Sequence, residues 1–309
     1  MAGLRELKNR IKSTGNIKQM TKAMEAVSAV KMRRSVALAL ESRPYALTAL
    51  RVLEKMRRHL EPHETLHSPL FDKNGVSKKT LVVIASDKGL VGSFNTTVLR
   101  KAANTAKEPG ECEFVAIGKR AADNLKRRGN LVASFTGAGD FGAVAESLPI
   151  SKFLMKRFLD KATGAVDLIY SNFISALQQE VIVRPLLPLS IEGLETAVAA
   201  IVPKRGRYAN IPTPFEQMAE SEEAPFLFEP SPESVLREIS EKLLAVEIHS
   251  AILEANASEH SSRMIAMKSA SENASDLIGE LSMQYNKSRQ AAITKELSEI
   301  TAGKEAVGS

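Results

Sequence analysis

At 309 residues the chain is long enough for one large domain or a domain with extensions, and its 44% hydrophobic and 25% charged content excludes a membrane-embedded or disordered class. Aromatics are scarce at 5%, Trp is absent, and a single cysteine, Cys112, rules out an intramolecular disulfide. The net charge of +6 is uneven: residues 1–60 carry 14 Lys or Arg against four acids, a balance of +10 that leaves −4 for the rest. Such a basic arm suits an acidic partner (nucleic acid, anionic lipid or an acidic protein surface), or it is simply a solvated helix face. No run of 18 apolar residues is present to predict a membrane span. The opening MAGLRELKNRIK has no apolar signal core and does not read as a transit peptide.

The first predicted element is a helix. Leu4, Leu7, Ile11, Ile17, Met20, Met24, Val27 and Val30 follow steps of three and four, with one gap around Thr14. Pro44 is expected to kink this helix or remove one bond, and Leu47, Leu50, Leu53, Met56 and Leu60 carry it on. Pro62, Pro69, Asn74 and Gly75 mark a loop, so this N-terminal segment is taken as 1–61.

Over 76–202 the period changes. TLVVIAS (80–86), EFVAIG (113–118), NLVASF (130–135), VDLIYSNF (166–173) and VIVRPLL (181–187) read as strands, apolar enough to be covered on both faces. Helical stretches at 95–107, 119–128 and 146–163 separate them, which predicts an α/β domain with a largely parallel sheet. The last two strands are too close for a crossover helix unless 174–180 forms a short one, and that pair suits an antiparallel arrangement. Cys112, at the start of the second strand, is expected to be a buried, inert thiol. Residues 203–232 are polar and proline-rich, a loop-rich connection with room for a strand at 226–228.

The final segment, 233–302, has the strongest pattern. Ser231, Pro232 and Glu233 make a helix start: a cap, a proline in the first turn and an acid near the positive dipole end. From Leu236 the positions Ile239, Leu243, Val246, Ser250, Leu253, Ala257, His260, Met264, Met267, Ser271, Ala274, Ile278 and Leu281 keep an unbroken 3-4 alternation, the seam of a coiled coil. A helix to about 300 would be roughly 100 Å long, more than a domain of this size is wide. Small residues at Ser250, Ala257, Ser271 and Ala274 suit a thin shaft.

No catalytic motif is evident. Walker A, H-E-x-x-H, paired-cysteine and G-x-S-x-G patterns are missing, and the five histidines do not cluster with carboxylates, so neither a metal nor a cofactor is expected. Residues 137–142 read GAGDFG, a literal dinucleotide fingerprint with Asp160 about 20 residues on. It follows the third strand rather than the first, however, and Pro149 sits in the next helix, so a surface loop is the expectation. SDKGLVGSFN (86–95) reads as a tight strand-to-helix turn, across which Asp87 and Lys88 could pair, or as a phosphate cradle.

These segments carry a resemblance. LRELKNRIKSTGNIKQMTKAMEAVSAVKM (4–32), RPYA (43–46), SDKGLVGSFN and SSRMIAMKSASENASDLIGELSMQYNKSRQAAITKELSEI (261–300) together resemble the gamma subunit of F-type, proton-translocating ATP synthases. Val91 and Ser93 stand where that family commonly has Cys and Gly, and Gly303–Lys304 departs from its usual end. The resemblance implies an antiparallel coiled coil of the terminal helices around a central Rossmann-like α/β domain. It also implies a non-catalytic rotor shaft that couples proton flow to ATP synthesis at the beta subunits. Implied partners are the alpha and beta subunits of the catalytic ring, the epsilon subunit and the membrane c-subunit ring, with no nucleic acid. Association with the membrane would be peripheral, on the cytoplasmic side of a plasma membrane or the matrix side of a mitochondrial inner membrane.

By matching position, Met24 faces the catalytic subunits or the coiled-coil core. Arg289 and Gln290 match residues that engage a beta-subunit loop, and Thr294 and Glu296 match polar positions on the same face. Phe226, Phe228 and Glu229 match the stretch that touches the rotor ring. Two alternatives remain open: a nucleotide-binding α/β protein using GAGDFG, and a coiled-coil adaptor binding nucleic acid. The lack of stacking aromatics in 1–60, Tyr45 apart, weighs against the second.

Overall fold

The computed structural model describes residues 2–59, 69–107, 110–137, 144–190, 229 and 231–307. Its described elements, in chain order, are α1 (Ala2–His59), β1 (Lys79–Ile84), α2 (Phe94–Thr105), β2 (Cys112–Ile117), α3 (Lys119–Arg128), β3 (Leu131–Phe135), α4 (Val144–Leu159), β4 (Ala165–Ser175), β5 (Gln178–Leu187) and α5 (Pro232–Val307). The expected fold class holds: two long terminal helices and a central α/β sheet. Contacts divide the chain into two compact units, Ala29–Ser262 and the pair Met1–Ser28 with Arg263–Ser309.

In the larger unit the sheet order is β3-β2-β1-β4-β5, with β1 parallel to both β2 and β4, β2 parallel to β3, and β4 antiparallel to β5. The last pair is a hairpin rather than a crossover; its strands run to Ser175 and from Gln178, so no short helix forms there. Alternate residues of the central strands feed two cores. Leu81, Val83, Ala85, Phe114, Ala116 and Ile169 meet Val98 and Ala102 of α2 and Ala121 and Leu125 of α3. Val82, Ile84, Val115, Ile117, Leu168 and Tyr170 meet Ile150, Leu154 and Phe158 of α4, Leu53 and Met56 of α1, and Leu243, Leu244 and Ile248 of α5. Coverage on both faces explains why β1 and β2 read as near-continuous apolar runs. β3 departs from that expectation. It is an edge strand with alternating burial, and Val132 is 39% exposed.

Helix α5 begins as its sequence predicts. The Ser234 N–H donates to Ser231 Oγ at 3.3 Å, and Glu233 sits in the first turn. A backbone N–H and then the Ser231 hydroxyl hold the Glu233 carboxyl below its usual range. Between Leu236 and Ser261 the helix buries two adjacent stripes. Along the predicted seam, Ser250 meets Ser42 of α1 (Oγ–Oγ 3.4 Å) and Leu253 clusters with Ala39. The second stripe, Ser240, Leu244, Glu247, Ala251, Glu254, Ser258 and Ser261, is also buried. It turns to the sheet: the Ser258 hydroxyl donates to Ser171 O at 2.9 Å, and that of Ser261 to Ala176 O.

In the smaller unit only the first stripe persists. Met267, Ser271, Ala274 and Leu281 are buried, and Lys18 Nζ donates to Ser275 Oγ at 3.0 Å. In the larger unit, lower numbers on α1 meet higher numbers on α5 (39 with 253, 42 with 250), so the helices run antiparallel there.

Three expectations need correction. On α1 the covered side follows Leu4, Leu7 and Ile11 and then continues through Thr14, Lys18, Thr21, Glu25 and Ser28, at unbroken 3-4 spacing. The apolar Ile17, Met20, Val27 and Val30 instead face outward, 52–64% exposed. The gap at Thr14 is therefore where the apolar pattern and the buried seam part. Cys112 is half-buried at the rim of β2 and not enclosed. The helix expected over 146–163 ends at Leu159, where Lys161 turns the chain with φ +56°. Pro44 lies inside a continuous α1; lacking an N–H, it leaves its i−4 carbonyl without a helical donor.

Candidate partner-contact surfaces and the strand-end pocket

Ligands of open α/β sheets bind beyond the carboxyl ends of the strands, where the order reverses. Here β1 has β2 on one side and β4 on the other, so the reversal falls at β1 and SDKGLVGSFN leaves from it. A cleft of about 140 Å³ opens at this point, lined by Ile84, Ala85, Asp87, Lys88, Ile117, Gly118 and Gly137, with Ile252, Asn256 and Glu259 of α5. Gly118 must be glycine: its φ is +93°, and a Cβ there would lie 1.9 Å from Ala85 O.

The loop satisfies its own polar groups. Asn95 Oδ1 accepts the Ser86 N–H at 3.0 Å, and the Ser86 hydroxyl donates to Lys88 O at 2.6 Å. Asp87 does not pair with Lys88 as expected. Its Oδ1 accepts the Lys119 N–H that opens α3 (2.8 Å), and its Oδ2 accepts the Gly137 N–H after β3 (3.2 Å). A carboxylate thus caps α3, the helix after β2, whereas in dinucleotide-binding sheets the phosphate sits at the helix after the first strand. The turn reading of SDKGLVGSFN fits this geometry; of GAGDFG, Gly137 takes part, and residues 138–142 lie outside the described residues. Sequence inspection missed the reach of Asp87 to Lys119 and Gly137 because nothing in local spacing links positions 32 and 50 residues apart.

A second polar cluster sits at the other end of the strands. Glu113, 1% exposed, accepts from Thr80 (2.7 Å) and Arg157 (2.6 Å) and pairs with Lys78 (3.0 Å). Burial raises its pKa, but the hydrogen bonds from Thr80, Lys78 and Arg157 outweigh that and hold it below the usual carboxylate range. All its partners are structural elements of the sheet domain, which makes this a fastening. Among the described residues no group of His, Cys, Asp and Glu could hold a metal ion.

The predicted contact residues lie mostly in the smaller unit. Met24 is half-buried on α1, between the covered seam and the exposed stripe of Ile17, Met20 and Val27. Arg289, Gln290, Thr294 and Glu296 are all exposed on α5. The Thr294 hydroxyl only caps Gln290 O, at 3.0 Å, and Lys295 pairs weakly with Glu299 at 3.8 Å. Gln290, Ile293, Leu297 and Ile300 recur at three and four and so share one face, on which Ile293, Leu297 and Ile300 are 48%, 59% and 68% exposed. Glu229 is exposed, while Phe226 and Phe228 lie outside the described residues. No described helix is long and apolar enough to cross a membrane.

A family model described as ATP synthase matches residues 3–307. The chain is 34% identical to an ATP synthase gamma chain of Heliobacterium modesticaldum over the full length of both, and 36% identical to one of Geotalea uraniireducens over 99% of each. The chain belongs to the ATP synthase gamma chain family. Solved structures agree on the fold. The rotor of the Euglena gracilis mitochondrial ATP synthase superposes with a TM-score of 0.61 at 15% identity, covering 94% of this chain and 99% of that one. The central stalk and c-ring structure of the Tetrahymena thermophila enzyme gives 0.56 at 22% identity, over 82% and 99%. As a gamma-family chain, the molecule accounts for its own oddities: a seam of small residues, a strand-end loop that bonds to itself and long helices with bare apolar faces.

Proposed function

We propose that this chain is the central rotor shaft of an F-type ATP synthase, coupling proton flow through the membrane rotor ring to ATP synthesis at the beta subunits. The observation that carries the reading is the exposed apolar face at the end of α5, Ile293, Leu297 and Ile300, together with Ile17, Met20 and Val27 on α1. A chain that worked alone would cover such faces; one that turns within a ring of other subunits leaves them to the ring. The small, partly polar seam keeps the helical pair slim. The chain itself is non-catalytic in this reading, and the chemistry belongs to the beta subunits. Arg289, Gln290, Thr294 and Glu296 then meet the alpha and beta subunits, Met24 lies on the same shaft, and Phe226, Phe228 and Glu229 meet the rotor ring beside epsilon. Membrane association is peripheral, on the cytoplasmic side of a bacterial plasma membrane given the bacterial relatives, with the mitochondrial inner membrane as the alternative.

Affinity capture of the tagged chain is expected to bring down alpha, beta and epsilon subunits. In the reconstituted complex, Arg289→Glu is expected to lower ATP-driven proton pumping several-fold while leaving the fold of the chain unchanged, because it reverses an exposed charge. Unaltered hydrolysis together with unaltered pumping would remove Arg289 from the contact.

A further inference from the structure

Where α5 crosses the β4–β5 hairpin, the larger unit buries more acid than base. Tyr170 comes from β4, Arg184 from β5, and Glu247 and Glu254 from α5, seven residues apart and hence on one face. All are at least 92% buried: Tyr170 is 0% exposed, Glu254 3%, Arg184 7% and Glu247 8%. The Tyr170 hydroxyl donates to Glu254 Oε2 at 2.8 Å. Arg184 Nη2 lies 3.7 Å from the same oxygen, and its guanidinium stacks over the Tyr170 ring at 5.1 Å. That leaves Glu254 Oε1, Glu247 Oε2 and Arg184 Nη1 buried without hydrogen-bond partners.

One guanidinium cannot neutralise two buried carboxylates, and an unpaired buried charge is far costlier than a proton taken up from water. We propose that the Glu247–Arg184–Glu254 cluster is a proton-binding site whose occupancy fastens α5 to the β4–β5 hairpin. The first proton taken up completes the charge balance: with Glu247 neutral, the cluster carries one positive and one negative group, and a second proton on Glu254 follows at lower pH.

The electrostatics agree. Burial pushes Glu247 up to about 8, with Glu254 adding to the rise and Arg184 opposing it. Burial pushes Glu254 up to about 7, against Arg184 and the Tyr170 hydrogen bond. Burial, with Glu254 next, drives Tyr170 well above the normal tyrosine range, so it stays a donor. On the α4 side, His249 is held below its usual value by burial, with Glu146 opposing; neither acts on the two carboxylates. The described α1 charges nearest in sequence to that packed region, Arg33, Arg34 and Glu41, do not act on them either.

The sign follows from linkage. An unfolded chain binds these protons only below its ordinary value of 4.5, whereas the folded chain keeps them up to about 7 and 8. Their contribution to stability is therefore full below pH 4.5 and is lost as pH rises through 7 and 8.

The test uses the full chain. Its thermal midpoint is expected to fall by about 5 °C or more between pH 6 and pH 8.5, and Glu247→Gln, which keeps the shape without the charge, is expected to make that fall clearly shallower by removing the Glu247 share. Infrared difference spectra of the wild-type chain between the same two pH values are expected to show loss of a buried protonated-carboxyl band, weaker in the variant. A wild-type chain with no such band at pH 6 overturns the proposal even if the variant fails to fold. So does a folded variant whose midpoint falls with pH as steeply as the wild type's.

Discussion

Two stretches of α5 share one backbone and differ in nearly everything else. From Leu243 to Ala255 every residue is buried, Glu247, His249 and Glu254 included; from Met283 to Thr301 all are exposed except Tyr285 and Ala292, and the exposed set includes Ile293, Leu297 and Ile300. Burial therefore does not track hydrophobicity along this helix. It tracks what lies alongside: α1 on one stripe and the β4–β5 hairpin on the other in the first stretch, and no covering of the outer face by the described residues in the second. A buried acid is tolerated where a hydroxyl and a guanidinium meet it, and a bare leucine is tolerated where, in the proposed function, another subunit covers it.

That contrast is easiest to break in the first stretch. Leu244→Ala removes a side chain that is 0% exposed in the main core and should cost about 2–5 kcal/mol, read as a lowered denaturant midpoint of the full chain. Glu113→Ala comes next. It strands Arg157 and Lys78 and should cost about 2–3 kcal/mol near neutral pH. Because the folded pKa of Glu113 is depressed below 4.5, its contribution is present above pH 4.5 and is lost as pH falls through the folded value. The wild-type and variant stability curves are thus expected to converge in acid, the opposite limb from the Glu247 cluster. The smallest effect on stability belongs to the second stretch: Leu297→Ser should change unfolding by no more than about 0.5 kcal/mol. The same change should weaken association with the catalytic ring, read as faster loss of the chain from the assembled complex. If Leu297→Ser unfolded the protein like Leu244→Ala, the distinction between the two stretches would collapse.

Much of this was legible in the sequence. The α5 seam was, since spacing marks it even where Ser250, Ala257 and Ser271 replace large side chains. The strand order at the hairpin was constrained by its short connection. On α1 the same reasoning went astray, because Ile17, Met20, Val27 and Val30 carry the apolar signal while Thr14, Lys18 and Thr21 carry the contact; periodicity reports an apolar face without saying who covers it. The second stripe of α5 was also readable, since Ser240, Leu244, Glu247, Ala251 and Glu254 keep the same alternation. Charge disguised it, because a glutamate is ordinarily assigned to solvent. The proposed partner residues Arg289 and Gln290 came from the family resemblance alone; nothing in their spacing distinguishes them from any solvated helix face.

Asp87 has one more consequence. A free anion competing for the Lys119 and Gly137 amides meets a rival tethered to the same chain, whose local concentration does not fall when the surroundings are diluted. Those two amides are thereby kept from free nucleotide and phosphate. In the rotor role proposed above, whose neighbouring subunits fill and empty with those same compounds, this keeps one pair of amides on the driven part from answering to the fuel.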